Sequence, residues 1–505
     1  MYENIILLSI YAIVLIGIGV ASHKKSQTVT DFFLGGRNVG PWLSAFAYGT
    51  TYFSAVIFIG YAGKIGWGFG LSAIWIGIGN ALFGGLVAWM FLANRTRIIT
   101  HHLGVKTMPE FFEQRYNSRP MKLISAVVIF IFLVPYSASV YMGLSYLFEQ
   151  ILGVNFMYCM IFMAVLTAIY VFLGGYTATV WSDLIQGIIM IAGVFFMLFY
   201  IVNSDAVGGF ANIVPKLTQI ANTAPDHPPL VSVFGGKDWL ALLSLVFLTS
   251  IGSMGLPQMI HKFYAVKDHS AVRSATAITT VFALIIGVGA YFTGSLGRIV
   301  VAANPELMKQ ITSGDGKMLF DNIMPAVLKS SLPPIILAVI GILVLSASMS
   351  TLAAIVMTSA SAVAIDLFDD KTKFKQQHTL SFIRILCLIF VLISFLIAAT
   401  RPAYIVTLMS FSWGTISGSF IGPYIWGIYS KRITKVGAYA GFIGGFSTSI
   451  LLTLFFRFDQ ANAPLFGALA MVVSLILPPV VSMFTKQYPS EFLKKVFVVK
   501  EEGRG

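Results

Sequence analysis

The chain has 505 residues, of which 57% are hydrophobic and only 10% charged, where soluble domains carry about 25% charge. A surface so poor in charge cannot face water, which excludes a soluble enzyme, a disordered protein and a nucleic-acid binder and leaves an all-α polytopic membrane protein. The net charge of +13 sits in short Lys/Arg clusters between apolar stretches and not in one basic patch, which is how membrane loops space their cations.

The first apolar run, 4–22, lacks a basic n-region and a small-residue cleavage pattern, and reads as a retained span and not a signal peptide. Stretches long enough to cross ~30 Å of hydrocarbon then recur along the chain. Thirteen are predicted, centred in 4–22, 41–63, 69–93, 123–149, 156–174, 178–203, 238–260, 274–297, 333–365, 379–399, 403–428, 436–456 and 464–484. With that register, 23 Lys and Arg fall on one side and nine on the other. The rich side takes Lys24, Lys25, Lys262, Lys371, Lys373, Lys375, Lys500 and Arg504 among others. Basic loops stay cytoplasmic, so the N-terminus is predicted outside and the C-terminus in the cytoplasm. Cys159 and Cys387 both lie in apolar segments and support no disulfide framework.

Several spans depart from plain hydrophobicity. The second carries Ser44, Tyr48, Gly49, Thr50, Thr51, Tyr52, Phe53 and Ser54, and reaches Gly60. Glycine weakens a helix at mid-depth, hydroxyls satisfy freed backbone groups, and unwound carbonyls are good ligands for a hard cation. Small residues at such spacing also permit close helix contact, and both readings stand on the residues alone. In the sixth span Asp183 lies in Trp181-Ser182-Asp183-Leu184-Ile185-Gln186. It either faces the bundle interior or snorkels from a helix end. Glu149 and Asp366 fall at span ends and read as interfacial, and the seven histidines as solvated.

The seventh span contains Thr249, Gly252, Ser253, Gly255, Pro257 and Gln258. Proline removes an amide donor and kinks or breaks a helix. Interrupted segments at matching places in two halves mark an inverted-repeat transporter site, and the second and seventh spans are five apart. The ninth span holds Ala347, Ser350 and Thr351 at i, i+3 and i+4, hence on one face. Two hydroxyls beside a small residue suit a cation, although Ser and Thr also bond back to their own helix carbonyls. No G-x-x-x-x-G-K-[ST] loop, H-E-x-x-H or C-x-x-C is present. The pattern therefore favours a carrier driven by an ion gradient, worth about 2.3 kcal/mol per charge per 100 mV, over an intramembrane enzyme.

Taken in order, Asp31-Phe-Phe-Leu-Gly-Gly-Arg37, the stretch from Thr50 to Gly60, Gly174-Gly175, Trp181 to Gln186, Gly255-Leu-Pro257, Met349-Ser-Thr-Leu352 and Asp366-Leu-Phe368 resemble the sodium:solute symporter family over nearly the whole chain. The resemblance implies a LeuT-like five-plus-five inverted repeat: 1–40 as an extra helix and loop, 41–203 as repeat one, 237–428 as repeat two, and 436–505 as two further helices and a cytoplasmic tail. It implies Na⁺-driven symport of a small organic solute by alternating access at the cell membrane. The implied Na⁺ ligands are backbone oxygens of Thr50, Phe53 and Ala347 and the hydroxyls of Ser350 and Thr351, with Asp183 linked to coupling. Ala347 stands where members with a second sodium have serine, so one Na⁺ is expected.

For the solute, Ser54, Tyr136 and Pro257 match the proline carriers. Tyr52 replaces an aspartate of that branch and Thr249 a tryptophan, and Thr51 to Ala55 is closer to the pantothenate branch. Tyr52, Ser54, Tyr136, Thr249, Ser253 and Pro257 are the candidate substrate residues, for a zwitterion such as proline or a pantothenate-like carboxylate. A proton-coupled carrier with Asp183 as proton site, a passive channel, and a membrane sensor acting through a separate partner are the alternatives. The expected partners are the solute, Na⁺ and the lipid bilayer, with no nucleic acid and no obligate protein partner.

Overall fold

The computed structural model describes residues 2–23, 29–224, 228–368 and 376–497. Lys24, Lys25, Lys371, Lys373, Lys375, Lys500 and Arg504, counted above among loop cations, lie outside the described residues. Backbone polar groups in hydrocarbon must pair within their own segment, and the described residues are accordingly helical, with no strand beyond the isolated bridges Val39–Val266 and Thr312–Met318.

The principal helices are α1 (Tyr2–His23), α2 (Pro41–Tyr52), α3 (Val56–Leu103), α4 (Arg119–Leu152), α5 (Phe156–Val202), α6 (Gly236–Gly255), α7 (Pro257–Tyr264), α8 (His269–Ala303), α9 (Pro334–Leu367), α10 (Gln376–Thr400), α11 (Ile405–Tyr429), α12 (Lys435–Phe455) and α13 (Ala463–Met483). Ten runs among the described residues are long and apolar enough to cross a membrane. The gap from the thirteen predicted spans falls in three places. Ser9–Val20 and Phe156–Phe172 are apolar but shorter, and the 48-residue α3 joins the outer part of the second predicted span to the third.

Glycines set the bends. In α3, Gly70 takes φ +54, and a β-carbon there would lie 2.3 Å from the Leu230 carbonyl oxygen. In α5, Gly175 (φ 60, ψ −173) separates the fifth and sixth predicted spans. Outward-facing Phe195, Phe199, Leu392, Leu396 and Leu451 are exposed, as side chains against lipid tails would be.

Around the centre, α9 packs on α5, α4 and α2, while α8 crosses α2 and α3. The helices α11, α12 and α13 meet almost backbone to backbone. A β-carbon on Gly414 of α11 would lie 2.5 Å from Gly467 Cα of α13, and one on Gly445 of α12 would lie 1.7 Å from the Gly418 carbonyl oxygen. At the end of α11, the buried Arg115 guanidinium donates through Nε to the Gly427 carbonyl (2.8 Å) and through Nη2 to that of Ser430 (2.8 Å). Those are carbonyls a helix end leaves without partners.

Candidate functional site

The helix begun at Pro41 stops at Tyr52. Phe53 is extended (φ −112, ψ 125), which takes its carbonyl out of the helical ladder. The chain turns helical again at Val56 after new caps form: the Ser54 hydroxyl accepts from Val56 N–H (3.2 Å) and the Ser348 hydroxyl on α9 accepts from Ala55 N–H (2.9 Å). The break places the negative end of α2 and the positive end of α3 next to one another inside the bundle. The partner break lies between α6 and α7, where Gly252–Gly255 forms a tight turn and Leu256 is extended (φ −86, ψ 121). Pro257 then opens α7 at the first helical position, where its missing N–H costs nothing.

Four of the five residues expected to hold sodium, Thr50, Ala347, Ser350 and Thr351, meet at the contact of α2 with α9. Thr351 Oγ1 lies 3.1 Å from the Thr51 carbonyl, 3.4 Å from that of Thr50 and 3.1 Å from that of Ala347. Ser350 donates to Thr50 Oγ1 (2.9 Å), which donates to the Phe46 carbonyl (2.7 Å). Thr351 thus makes the back-bond to its own helix as well as the contact across to α2. The donors are hydroxyls and carbonyls, the hard ligands a monovalent cation takes in place of water. The Thr51 carbonyl, outside the predicted set, lies at the same contact.

Asp183 sits against this cluster. It is 1% exposed and its Oδ2 lies 3.5 Å from Lys262 Nζ, itself 3% exposed. The Thr50 and Ser350 hydroxyls face it from α2 and α9, and neither carboxylate oxygen has a hydrogen-bond partner. Of the two placements left open for Asp183, the structure shows the one in the bundle interior. Lys262, predicted as a loop cation, is instead buried in α7, because a carboxylate in low dielectric needs a close counter-charge.

Next to the break is a cavity with about 20 Å³ open to a water-sized sphere, lined by Tyr52, Ser54, Tyr136, Thr249, Tyr291 and Trp413 among others. Its polar centre is Asn80. The Asn80 Oδ1 accepts from Thr249 Oγ1 (2.9 Å) and Ser250 Oγ (3.0 Å) and lies 3.2 Å from the Tyr52 hydroxyl. Tyr52 also donates to the Thr249 carbonyl (2.6 Å). Trp413 stacks on Tyr52 (centroids 6.1 Å) and meets Tyr136 edge-on (5.6 Å). Four of the six candidate substrate residues, Tyr52, Ser54, Tyr136 and Thr249, therefore line one cavity. Ser253 is buried next to them and donates to the Ser250 carbonyl (2.8 Å), off the cavity. Pro257 lines a different cavity, with Thr107, His261, Tyr264, Thr358 and Asp366.

The sequence of residues 32–445 matches the profile of the "Sodium:solute symporter family". The chain belongs to that family. Among its relatives are the "Osmoregulated proline transporter OpuE" of Bacillus subtilis (strain 168), 27% identical over 99% of this chain and 98% of that protein, and a "Sodium/proline symporter" of Staphylococcus aureus (strain bovine RF122 / ET3-1), 27% identical over 98% of this chain and 94% of that one. Among solved structures, the chain is similar to a substrate-bound, outward-open Na⁺-coupled sialic acid symporter (TM-score 0.78, 17% identity, 97% of this chain and 99% of that one). It is also similar to Mhp1, a nucleobase-cation-symport-1 family transporter, in a closed conformation with bromovinylhydantoin bound (TM-score 0.53, 14% identity, 93% and 98% coverage).

The symporter is thus a multi-pass cell-membrane carrier on a LeuT-like transporter fold that couples solute entry to Na⁺, and it is not an enzyme. Two further sequence expectations are corrected. Asp366 stays at the Lys/Arg-rich end of its span but does not face solvent: it is buried, its Oδ1 accepts from Thr107 Oγ1 (2.8 Å) and lies 4.0 Å from Lys122 Nζ. Nor is every histidine solvated, since the His261 ring packs between Tyr176 and Tyr264. Asn80 was missed altogether; its signal was being the one amide side chain in the span 69–93.

Proposed function

We propose that this symporter imports a small zwitterionic solute of the proline class together with one Na⁺. The observation that carries the reading is the meeting, at one break between α2 and α3, of an oxygen cluster and a cavity with neutral polar and aromatic walls. Na⁺ is held by backbone oxygens of Thr50, Phe53 and Ala347 and by the Ser350 and Thr351 hydroxyls, with Asp183 biasing the site electrostatically. The solute lies against Tyr52, Ser54, Tyr136 and Thr249, organised by Asn80 and covered by Trp413. Its carboxylate faces the amide end of α3, where a helix N-terminus favours an anion. Ion and solute bind either side of the same break, so each orders backbone that the other needs. Such shared ordering is a physical basis for coupling.

The full topology is part of this reading. It has thirteen spans, an N-terminus outside and a cytoplasmic C-terminus. The repeats cover 41–203 and 237–428, with α1 before them and α12, α13 and the tail after them. The proline relatives at 27% identity support the solute class. Tyr52 and Thr249 favour a second reading, a pantothenate-like carboxylate, because they replace the charged and indole side chains of the proline branch with neutral hydroxyls. Uptake of labelled L-proline and pantothenate into proteoliposomes, with Na⁺ or K⁺ outside, separates the two. Proline uptake that needs Na⁺ supports the first reading. Uptake unchanged in K⁺ removes sodium coupling from this site, and Na⁺-driven uptake of pantothenate alone selects the second.

A further inference from the structure

The central cavity and the sodium cluster use only part of the buried polar chemistry near the breaks. The Tyr170 hydroxyl also faces the Asp183 carboxylate, and Gln186, one turn further along the same helix, shares its face. The Ser182 and Tyr170 hydroxyls, the Gln186 Oε1 and both carboxylate oxygens of Asp183 are buried with no hydrogen-bond partner. Gln186 donates through Nε2 to the Tyr11 hydroxyl (3.0 Å), so the atom it has left is an acceptor. Buried oxygens left unmatched are costly, and grouped around a carboxylate they make a seat for a cation.

The cation that meets them is part of the chain. Lys262 sits on α7, past the second break, with its side chain 3% exposed. Its Nζ lies 3.5 Å from Asp183 Oδ2 and 5.3 Å from the Tyr176 ring centroid. That approach is longer than a charge-assisted hydrogen bond, about 2.7–2.9 Å, so charge and not a directional bond holds the pair. An ammonium is a compact unit charge on a flexible stem. It gives the carboxylate what a sodium ion would, yet it cannot dissociate. A mobile cation arriving beside it would meet a like charge in low dielectric.

We propose that Lys262 is a built-in cation that sets the ion count of this symporter: it fills the seat on Asp183, and removing its ammonium turns that carboxylate and the oxygens around it into a working second Na⁺ site. The proposal deepens the reading above and rests on it for the first Na⁺, which stands on other residues.

The test counts ions. Equilibrium binding of radiolabelled Na⁺ is measured on the purified full chain in nanodiscs, with N-methyl-D-glucamine as balancing cation. The parent and Lys262→Arg are expected to bind about one ion per chain, Lys262→Met about two, and the double variant Lys262→Met, Asp183→Asn about one again, because the added ion needs a bare buried carboxylate. In unfolding scans Na⁺ should raise the Tm of Lys262→Met more than that of the parent, by mass action on the added site, and the double variant should lose that extra gain. Lys262→Gln serves if Lys262→Met does not fold, and the parent's own count needs no variant. Two ions on the parent, on Lys262→Arg or on the double variant overturn the proposal, as does a count on Lys262→Met no higher than the parent's. Ser350→Ala, Thr351→Ala is counted alongside. A parent ion that survives it removes the α9 site and leaves the Lys262 comparison standing; loss of that ion, with no second ion on Lys262→Met, keeps the α9 site and removes the built-in cation.

Discussion

Removing the two hydroxyls on α9 tests the sodium site most directly. In the double variant Ser350→Ala, Thr351→Ala, two of the five assigned oxygens disappear. What remains is the carbonyls of Thr50, Phe53 and Ala347. Thr351 Oγ1 is the oxygen nearest several others, within 3.1–3.4 Å of three carbonyls. A contact between a hydroxyl and a charge contributes roughly 1.5–3 kcal/mol, against about 0.5–1.5 kcal/mol for a neutral hydrogen bond. Each substitution should therefore weaken apparent Na⁺ affinity about 10- to 150-fold. The two effects need not add, because the sites are adjacent. The folding cost is smaller: the lost neutral bonds, plus a small void left by the Thr351 methyl, about 1 kcal/mol. Thr351→Val keeps the volume and should separate void from ligand. The assay is a sodium titration of solute uptake in proteoliposomes, beside a thermal unfolding scan without sodium. A half-saturating Na⁺ concentration within threefold of the parent, with expression or Tm collapsing, would show these hydroxyls to be structural and would refute the assignment.

Four other outcomes follow from the structure. Lys262→Met should leave Asp183 buried and unpaired, costing about 3–5 kcal/mol; adding Asp183→Asn should recover most of the Tm while transport stays lost, and a double variant no more stable than the single would contradict the pairing. Asn80→Ala strips the shared acceptor from Tyr52, Thr249 and Ser250, and should raise KM for the solute about tenfold or more with little change in sodium titration; equal shifts in both would place Asn80 outside the solute site. Gly70→Ala meets both a positive φ and the Leu230 carbonyl at 2.3 Å, so it should destabilise by several kcal/mol, on the order of the largest single-site effects, and a Tm within 2 °C of the parent would argue against this turn. Burial pushes the Asp321 carboxyl up to about 7, outweighing the Ile405 N–H and the charge on Lys64. The folded state therefore holds a proton that the unfolded state has released above about pH 4, and stability falls as pH rises from about 4 to about 7. Tm should drop between pH 5 and 8 and flatten in Asp321→Asn; an unchanged slope would take the drop away from this carboxyl.

The local part of this architecture was legible because it is written in neighbouring residues. The run from Gly49 to Ser54, the pair Gly255 and Pro257, and the i, i+3, i+4 spacing of Ala347, Ser350 and Thr351 each announce a departure from a plain span. What could not be read depends on contacts between distant segments. Lys262 resembles any cation in a basic loop until Asp183, 79 positions earlier in the chain, is packed against it. Asn80 is a lone amide with no periodic company, and its partners come from residues 52, 249 and 250. Asp366 looked interfacial because hydropathy sees where a span ends along the chain and not what folds over that end; Thr107 and Lys122 do so here. The bend at Gly70 is required by a carbonyl from residue 230.

The glycine seams joining α11 to α12 and α13 bear on how such a carrier can move. With interfaces that leave no room for a β-carbon, sliding or tilting α11 alone would drive backbone into backbone. Met409 and Trp413, which line the central cavity, are thus bolted to a three-helix slab. Whatever opens and shuts around the solute must swing relative to this keel, which makes the opposite wall, bearing α2, α3 and α8, the part expected to rock.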